Sequence, residues 1–161
     1  MPVTAYIGLG ANLDEPVRQV RAALDALRAS PGLELLAASS LYRNPPMGPQ
    51  DQPDYVNAVA ALATELAPEA LLDVLQALEL RQGRTRGLRW GARTLDLDLL
   101  LYGRTTLNTP RLTVPHVGVK ERAFVLVPLA EIAPELVFPD GTPLATCLTS
   151  VDTSGLIRID E

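Results

Sequence analysis

The chain has 161 residues, 47% of them apolar, a mean hydropathy of +0.14, one cysteine and a formal net charge of −5. That much apolar content excludes a disordered chain, and the length permits a core without disulfides or a structural metal. No apolar run approaches the roughly 20 residues that span a bilayer, so the simplest expectation is one soluble domain over residues 1–161.

The opening run "VTAYIGLGA" is β-prone. The segment "DEPVRQVRAALDALRASPG" follows, with Asp14 as expected N-cap, Pro16 in the first turn and Val17, Val20, Leu24 and Leu27 at helical spacing. After Pro31 and Gly32 a second β-like run, "LELLAASSLYR", leads into "NPPMGPQDQPD", a loop with four prolines between Asn44 and Asp54. A third strand, "YVNAVAALAT", is followed by an amphipathic helix, "PEALLDVLQALELRQG", with Leu71, Leu72, Leu75 and Leu78 on one stripe and Gly83 at its end. The next strand lies in "RWGARTLDLDLLLYG", closed by Gly103, with "TTLN" as the partner of an expected hairpin. "KERAFVLVPLAEIAPEL" reads as a helix up to Pro134, interrupted or bent at Pro128, and "GLIRI" as an edge strand. This β-α-β-β-α-β order predicts an α+β fold, a ferredoxin-like α/β/α sandwich with a mixed, mostly antiparallel sheet.

The start, "MPVTAYIGLGANL", lacks a basic n-region and cleavable core, and Cys147 has no partner for an intramolecular disulfide, so a cytoplasmic location is expected. Cys147 is given a packing role only.

Charge is unevenly placed. Residues 81–122 carry nine Lys or Arg against Asp96, Asp98 and Glu121, a local balance of +6 that leaves −11 for the rest. An acidic chain with a basic middle is poor material for a general polyanion binder and suits a local site for a small, multiply charged anion. Eight of the nine are arginine, whose planar fork matches phosphate oxygens. Taken singly, each is a solvated surface cation; beside a carboxylate pair, phosphate binding is the better account.

Asp is depleted in strands, and two like charges at i and i+2 project to one face, where they repel unless something neutralises them. On a strand, Asp96 and Asp98 stand about 7 Å apart on one side while Leu95, Leu97 and Leu99 face the core. Mg²⁺ takes one or two carboxylates together with water and substrate phosphates, which suits this pair among arginines. The competing account is a solubilised sheet edge. Phosphate-loop and kinase motifs are absent, and "GLGAN" lacks the third glycine of a dinucleotide fingerprint, so side chains must hold any phosphate. A lone histidine is more often structural, but His116, in an extended loop near Arg111, Lys120 and Arg122, is equally a candidate phosphate donor. Tyr55 and Asn57, two apart on one strand, offer a ring to stack and an amide to pair, which suits a flat heterocycle; taken alone, a core ring and a turn amide are the better account.

These residues carry a resemblance to the 6-hydroxymethyl-7,8-dihydropterin pyrophosphokinase family. Its signature is basic-x-small-x-Arg-x-x-Asp-aliphatic-Asp-aliphatic-aliphatic, and Arg89 through Leu100 fit every position. "GLGANL", "SSLYRNPPMGPQDQPDYVNA", "LELRQGR", "RLTVPH" and "EIAPELVFPDG" resemble family segments in family order. The resemblance implies transfer of diphosphate from ATP to a pterin alcohol in folate biosynthesis, with Asp96 and Asp98 coordinating two Mg²⁺ ions. It further implies Arg84, Arg86 and Arg93 on the phosphates, and Arg89, Arg111, Thr113, His116 and Arg122 in the ATP site. Gln76 and Glu79 would lie near the nucleotide, Leu99 would give adenine a backbone contact, and Trp90 would belong to a mobile loop closing over both substrates. The pterin would stack between Tyr55 and Phe124, its edge read by Asn57 and by backbone near Asn44, Pro46 and Met47. The expected partners are these two small molecules, with no nucleic acid, no membrane and a monomeric chain. Rival readings are a non-catalytic RNA-binding module, which the acidic balance and absent RNP-like motif oppose, and a Mg²⁺-dependent nucleotidyl or γ-phosphoryl transferase, which residue physics alone does not separate from a diphosphotransferase.

Overall fold

The computed structural model describes residues 2–12, 15–44, 54–81 and 95–159. Its central sheet runs β5 (Asp96–Tyr102), β1 (Val3–Ala11), β4 (Tyr55–Thr64), β3 (Tyr42–Asn44) and β8 (Ile157–Arg158), with β2 (Leu33–Ala38) also on β4. Every ladder in it is antiparallel. β2 and β3 occupy successive stretches of the same β4 edge, so the run expected as one second strand is a strand broken at Ser39–Leu41. The Ser39 hydroxyl causes the break locally. It accepts the Val59 N–H at 3.0 Å, while the Ser39 N–H donates to the Val59 carbonyl at 2.9 Å.

Period-two alternation along the strands sorts side chains into two cores. On one face, Ile7, Leu9, Ala58, Leu62, Leu95, Leu97 and Leu99 pack under α1 (Pro16–Ala29) and α2 (Pro68–Arg81). On the other, Val59, Leu100 and Leu101 meet α3 (Ala123–Ile132) and α4 (Leu144–Leu148), with Phe138 and Cys147 buried among them. This is the expected helix-sheet-helix sandwich. Adjacent Leu100 and Leu101 both enter the second core because the β1–β5 register shifts between Tyr6 and Ile7, a bulge that gives β5 one extra residue.

Two local expectations are corrected. The residue capping α1 is Glu15, in left-handed geometry at φ 59° and ψ 72° with no side-chain capping bond, while Asp14 lies outside the described residues. The segment after Gly103 does not form a hairpin with β5. Instead β6 (Leu107–Asn108) pairs with β7 (Thr113–Val114), because the Thr109 and Leu112 backbones exchange hydrogen bonds of 2.9 and 3.3 Å and close the turn on itself. The outer edge of β5 is partly capped instead by α2, whose buried Glu79 accepts the Leu97 N–H. The short helix α4 had no counterpart in the sequence pattern, having only five residues.

Candidate active site

β5 places Asp96 and Asp98 on the α3 side of the sheet, both half-buried, while Leu97 and Leu99 go to the opposite core. The same-face arrangement expected of them is therefore present. Across the ladders Asp98 stands opposite Gly8 and Asp96 opposite Gly10, and Gly10 in turn stands opposite Asn57 of β4. Two glycines in the middle strand leave a trough between the carboxylates and the amide. The trough opens as a cleft of about 230 Å³, closed on its far side by Phe124 and Val125 at the start of α3.

The cleft is lined by Asp96, Asp98 and Asn57, by Tyr55 and Asn44 from the paired ends of β4 and β3, and by His116, Arg122 and Phe124. Burial, and then the nearby Asp96 carboxylate, push the Tyr55 phenol above its ordinary range. It therefore stays a neutral ring and hydroxyl beside the acidic pair. Phe124 lies at the start of α3, and the Arg122 guanidinium sits 5.8 Å from its ring centroid, within cation–π range. Asn57 is buried, and among the described residues its Oδ1 has no hydrogen-bond partner. A buried carboxamide oxygen in that condition is costly unless a ligand donor meets it.

His116 follows a cis Val114–Pro115 bond, and its backbone N–H donates to the Leu100 carbonyl at 3.0 Å, at the bulge of β5. Its Nδ1 lies 2.8 Å from the Val117 carbonyl, and Nε2 faces Asp98 Oδ1 at 3.8 Å. With Nδ1–H donating to that carbonyl, Nε2 is the atom directed into the site.

Asp98 and His116 also belong to the wall of a second cleft of about 240 Å³, shared with Leu99, Arg111, Thr113 and Leu72. Arg111 is oriented from α2: it pairs with Asp73 and donates to Gln76 Oε1 at 3.2 Å. The two clefts thus meet at Asp98 and His116, one with a flat aromatic and amide lining, the other apolar with an arginine at its margin.

Of the residues singled out from the sequence, Asn44, Tyr55, Asn57, Asp96, Asp98, His116, Arg122 and Phe124 come together in the first cleft, and Leu99, Arg111 and Thr113 in the second. Gln76 reaches the second through Arg111. Glu79, one turn on from Gln76, is buried, and its Oε2 accepts at 2.7 Å the N–H of Leu97, itself part of the second cleft's wall. Pro46, Met47, Arg84, Arg86, Arg89, Trp90 and Arg93 lie outside the described residues. Gly8 and Gly10 were missed as parts of the site. The signal was their i, i+2 spacing in a strand interior, where glycine is disfavoured unless something must approach closely.

Among the described residues no three His, Cys, Asp or Glu side chains converge in a way that could hold a metal ion alone. The chemistry of the pair still fits Mg²⁺. Two hard oxygen donors on one face leave positions for water and phosphate oxygens, which is how this ion is commonly held.

Residues 6–134 match the family model described as 7,8-dihydro-6-hydroxymethylpterin-pyrophosphokinase. A 2-amino-4-hydroxy-6-hydroxymethyldihydropteridine pyrophosphokinase of Pseudomonas aeruginosa is 55% identical over 154 residues, covering 96% of this chain and 95% of its own. The protein of the same description in Haemophilus influenzae is 56% identical over 158 residues, covering 98% and 99%. Among solved structures, Plasmodium falciparum HPPK-DHPS with pteroate superposes on 93% of this chain and 42% of its own with a TM-score of 0.74. At 13% identity that likeness speaks for the fold alone.

Proposed function

The chain belongs to the 7,8-dihydro-6-hydroxymethylpterin-pyrophosphokinase family, and we infer from this premise how its own residues carry out the family's reaction. It is an ATP-dependent diphosphotransferase acting on 6-hydroxymethyl-7,8-dihydropterin in folate biosynthesis. The pterin hydroxyl oxygen bonds to the β-phosphorus of ATP as the bond from that phosphorus to the α-β bridging oxygen breaks. AMP leaves with the bridging oxygen, and the hydroxyl proton passes to solvent.

The observation that carries the assignment of roles is the meeting of the two clefts at Asp98 and His116. The first cleft takes the pterin: Tyr55 and Phe124 supply faces for a flat ring, and the Asn57 amide, with backbone near Asn44, Pro46 and Met47, reads its edge. The second takes the nucleotide, between Leu99, Thr113 and Arg111, with Gln76 orienting the arginine. Such an arrangement brings the hydroxyl and the triphosphate together over the aspartates, and phosphoryl-type transfer asks a protein chiefly for that alignment and for charge compensation. Asp96 and Asp98 would hold Mg²⁺, two ions by the family resemblance, and the metal would offset phosphate charge and ease loss of the hydroxyl proton. No dedicated side-chain base is then required. Arg122 faces the same space as a donor to phosphate oxygens, as does His116 Nε2 when the ring carries a proton on both nitrogens, and Arg84, Arg86, Arg89 and Arg93 are assigned to the phosphates, with Trp90 covering them. Donors already aimed at the developing charge are worth most where water is excluded.

The test is product identity. Incubation with MgATP and the hydroxymethyl pterin should yield AMP and the pterin diphosphate in equal amounts. ADP as the nucleotide product would replace diphosphate transfer with phosphate transfer and overturn the assignment.

A further inference from the structure

Gly10 lies in the interior of β1, where glycine weakens a strand, and its backbone does not require it. It is not among the glycines with positive φ. What distinguishes the position is its neighbours in the row across the sheet, Asp96, Gly10, Asn57 and Tyr42, successive partners on β5, β1, β4 and β3. Residues opposite one another in a ladder project to the same face with Cβ atoms about 5 Å apart, so any side chain at position 10 would stand between the carboxylate and the amide. A Cβ placed there would lie 2.8 Å from Asn57 Nδ2, with every other atom outside Gly10's immediate chain neighbours at 3.9 Å or more. The conflict therefore falls on one group, the tip of the Asn57 amide.

Asn57 is paired on both sides in this row. On its other side is Tyr42, itself buried, whose hydroxyl donates to Glu131 Oε1 at 2.8 Å. Glu131 is held in turn by the Ser40 backbone N–H at 2.9 Å and the Ser40 hydroxyl at 2.8 Å. The Asn57 amide is thus seated between an absent side chain and an anchored ring.

We propose that Gly10 is a positioning residue for pterin recognition: the space left by its missing side chain holds the Asn57 amide in the orientation that reads the pterin edge. The proposal rests on the pterin assignment made above. A methyl group at position 10 displaces the amide, and the ligand groups that it pairs with lose their partners, a loss worth about ten- to hundredfold in affinity.

The experiment is a double-mutant cycle on the full chain with Gly10→Ala, Asn57→Ala and the combination. Pterin affinity is measured by calorimetry with 6-hydroxymethylpterin, in the presence of saturating Mg²⁺ and a non-hydrolysable ATP analogue, and affinity for that analogue is measured separately. Gly10→Ala should weaken the pterin at least tenfold, leave the nucleotide analogue within about twofold, and have no further effect in the Asn57→Ala background. Unchanged pterin affinity in Gly10→Ala, equal losses for both ligands, or equal losses with and without the amide would each overturn the role. If Gly10→Ala does not fold, the double variant decides: its folding identifies the amide as the group in conflict, and its failure to fold rejects the proposal. A wild-type chain that binds no pterin would sink the pterin assignment itself, an outcome distinct from a wild type that binds and a Gly10→Ala that binds equally well.

Discussion

Glu79→Ala should both destabilise the protein and slow its reaction, because of where the carboxylate ends. The side chain is 5% exposed, and its Oε2 accepts the N–H of Leu97, the residue between Asp96 and Asp98, at 2.7 Å. Truncation leaves that buried donor without this acceptor, which costs about 1–3 kcal/mol, and removes one buried methylene worth about 0.8 kcal/mol. The sum, about 2–4 kcal/mol, corresponds in a domain of this size to a drop of about 5–15 °C in melting temperature. Glu79→Gln keeps the volume and an acceptor oxygen, and should lose about 1 kcal/mol, the difference between a charged and a neutral acceptor. Thermal melts of the three proteins, with kcat measured beside them, separate the two effects. The alanine variant should also lose turnover beyond any unfolded fraction, since the peptide carrying both aspartates is released from α2. An alanine variant that melts within about 2 °C of wild type and keeps its kcat would refute the role of this bond. A glutamine variant that falls as far as alanine would show that charge, rather than the bond to Leu97, is what counts.

Asp98→Ala should remove turnover, through loss of the oxygen ligand where the two clefts meet, and Mg²⁺ titration should no longer restore it; near-normal kcat would contradict a metal role. Leu126→Ala, at a fully buried position in the second core, should cost about 2–5 kcal/mol by urea denaturation, and a change below about 1 kcal/mol would mean that the α3 face collapses around the gap. For Glu131, burial alone would raise the pKa, but hydrogen bonds from Tyr42 and Ser40 and the charge of Arg158 outweigh it and hold it below 4.5. A carboxyl depressed on folding stabilises the native state above its unfolded pKa, and that contribution fades as pH falls through the folded value. The stability gap between wild type and Glu131→Gln should accordingly be largest near neutrality and narrow below about pH 4.5; a gap independent of pH would argue against it. Tyr42, pushed up to about 12 by burial and by its bond to Glu131, should ionise later than an ordinary phenol in an ultraviolet absorbance titration of wild type against Tyr42→Phe.

Much of this protein was legible in the order of its residues, wherever the cause is local. The alternation in "LDLDLLL" puts Asp96 and Asp98 on one face of any strand it forms, and leucine spacing with Pro68 at the start defines α2 from Pro68 to Arg81. Strand periodicity likewise set Tyr55 and Asn57 side by side. Tertiary structure decided what depends on partners distant in the chain. Ser39 breaks the second strand because Val59 lies opposite, Glu79 reaches the Leu97 N–H because α2 packs against β5, and β6 finds β7 rather than β5. Gly10 is the clearest case. Sequence shows only a glycine in a strand, whereas register places it between a carboxylate and an amide from two other strands. Hydrogen-bond register between strands is fixed by global packing, and no single segment carries that information.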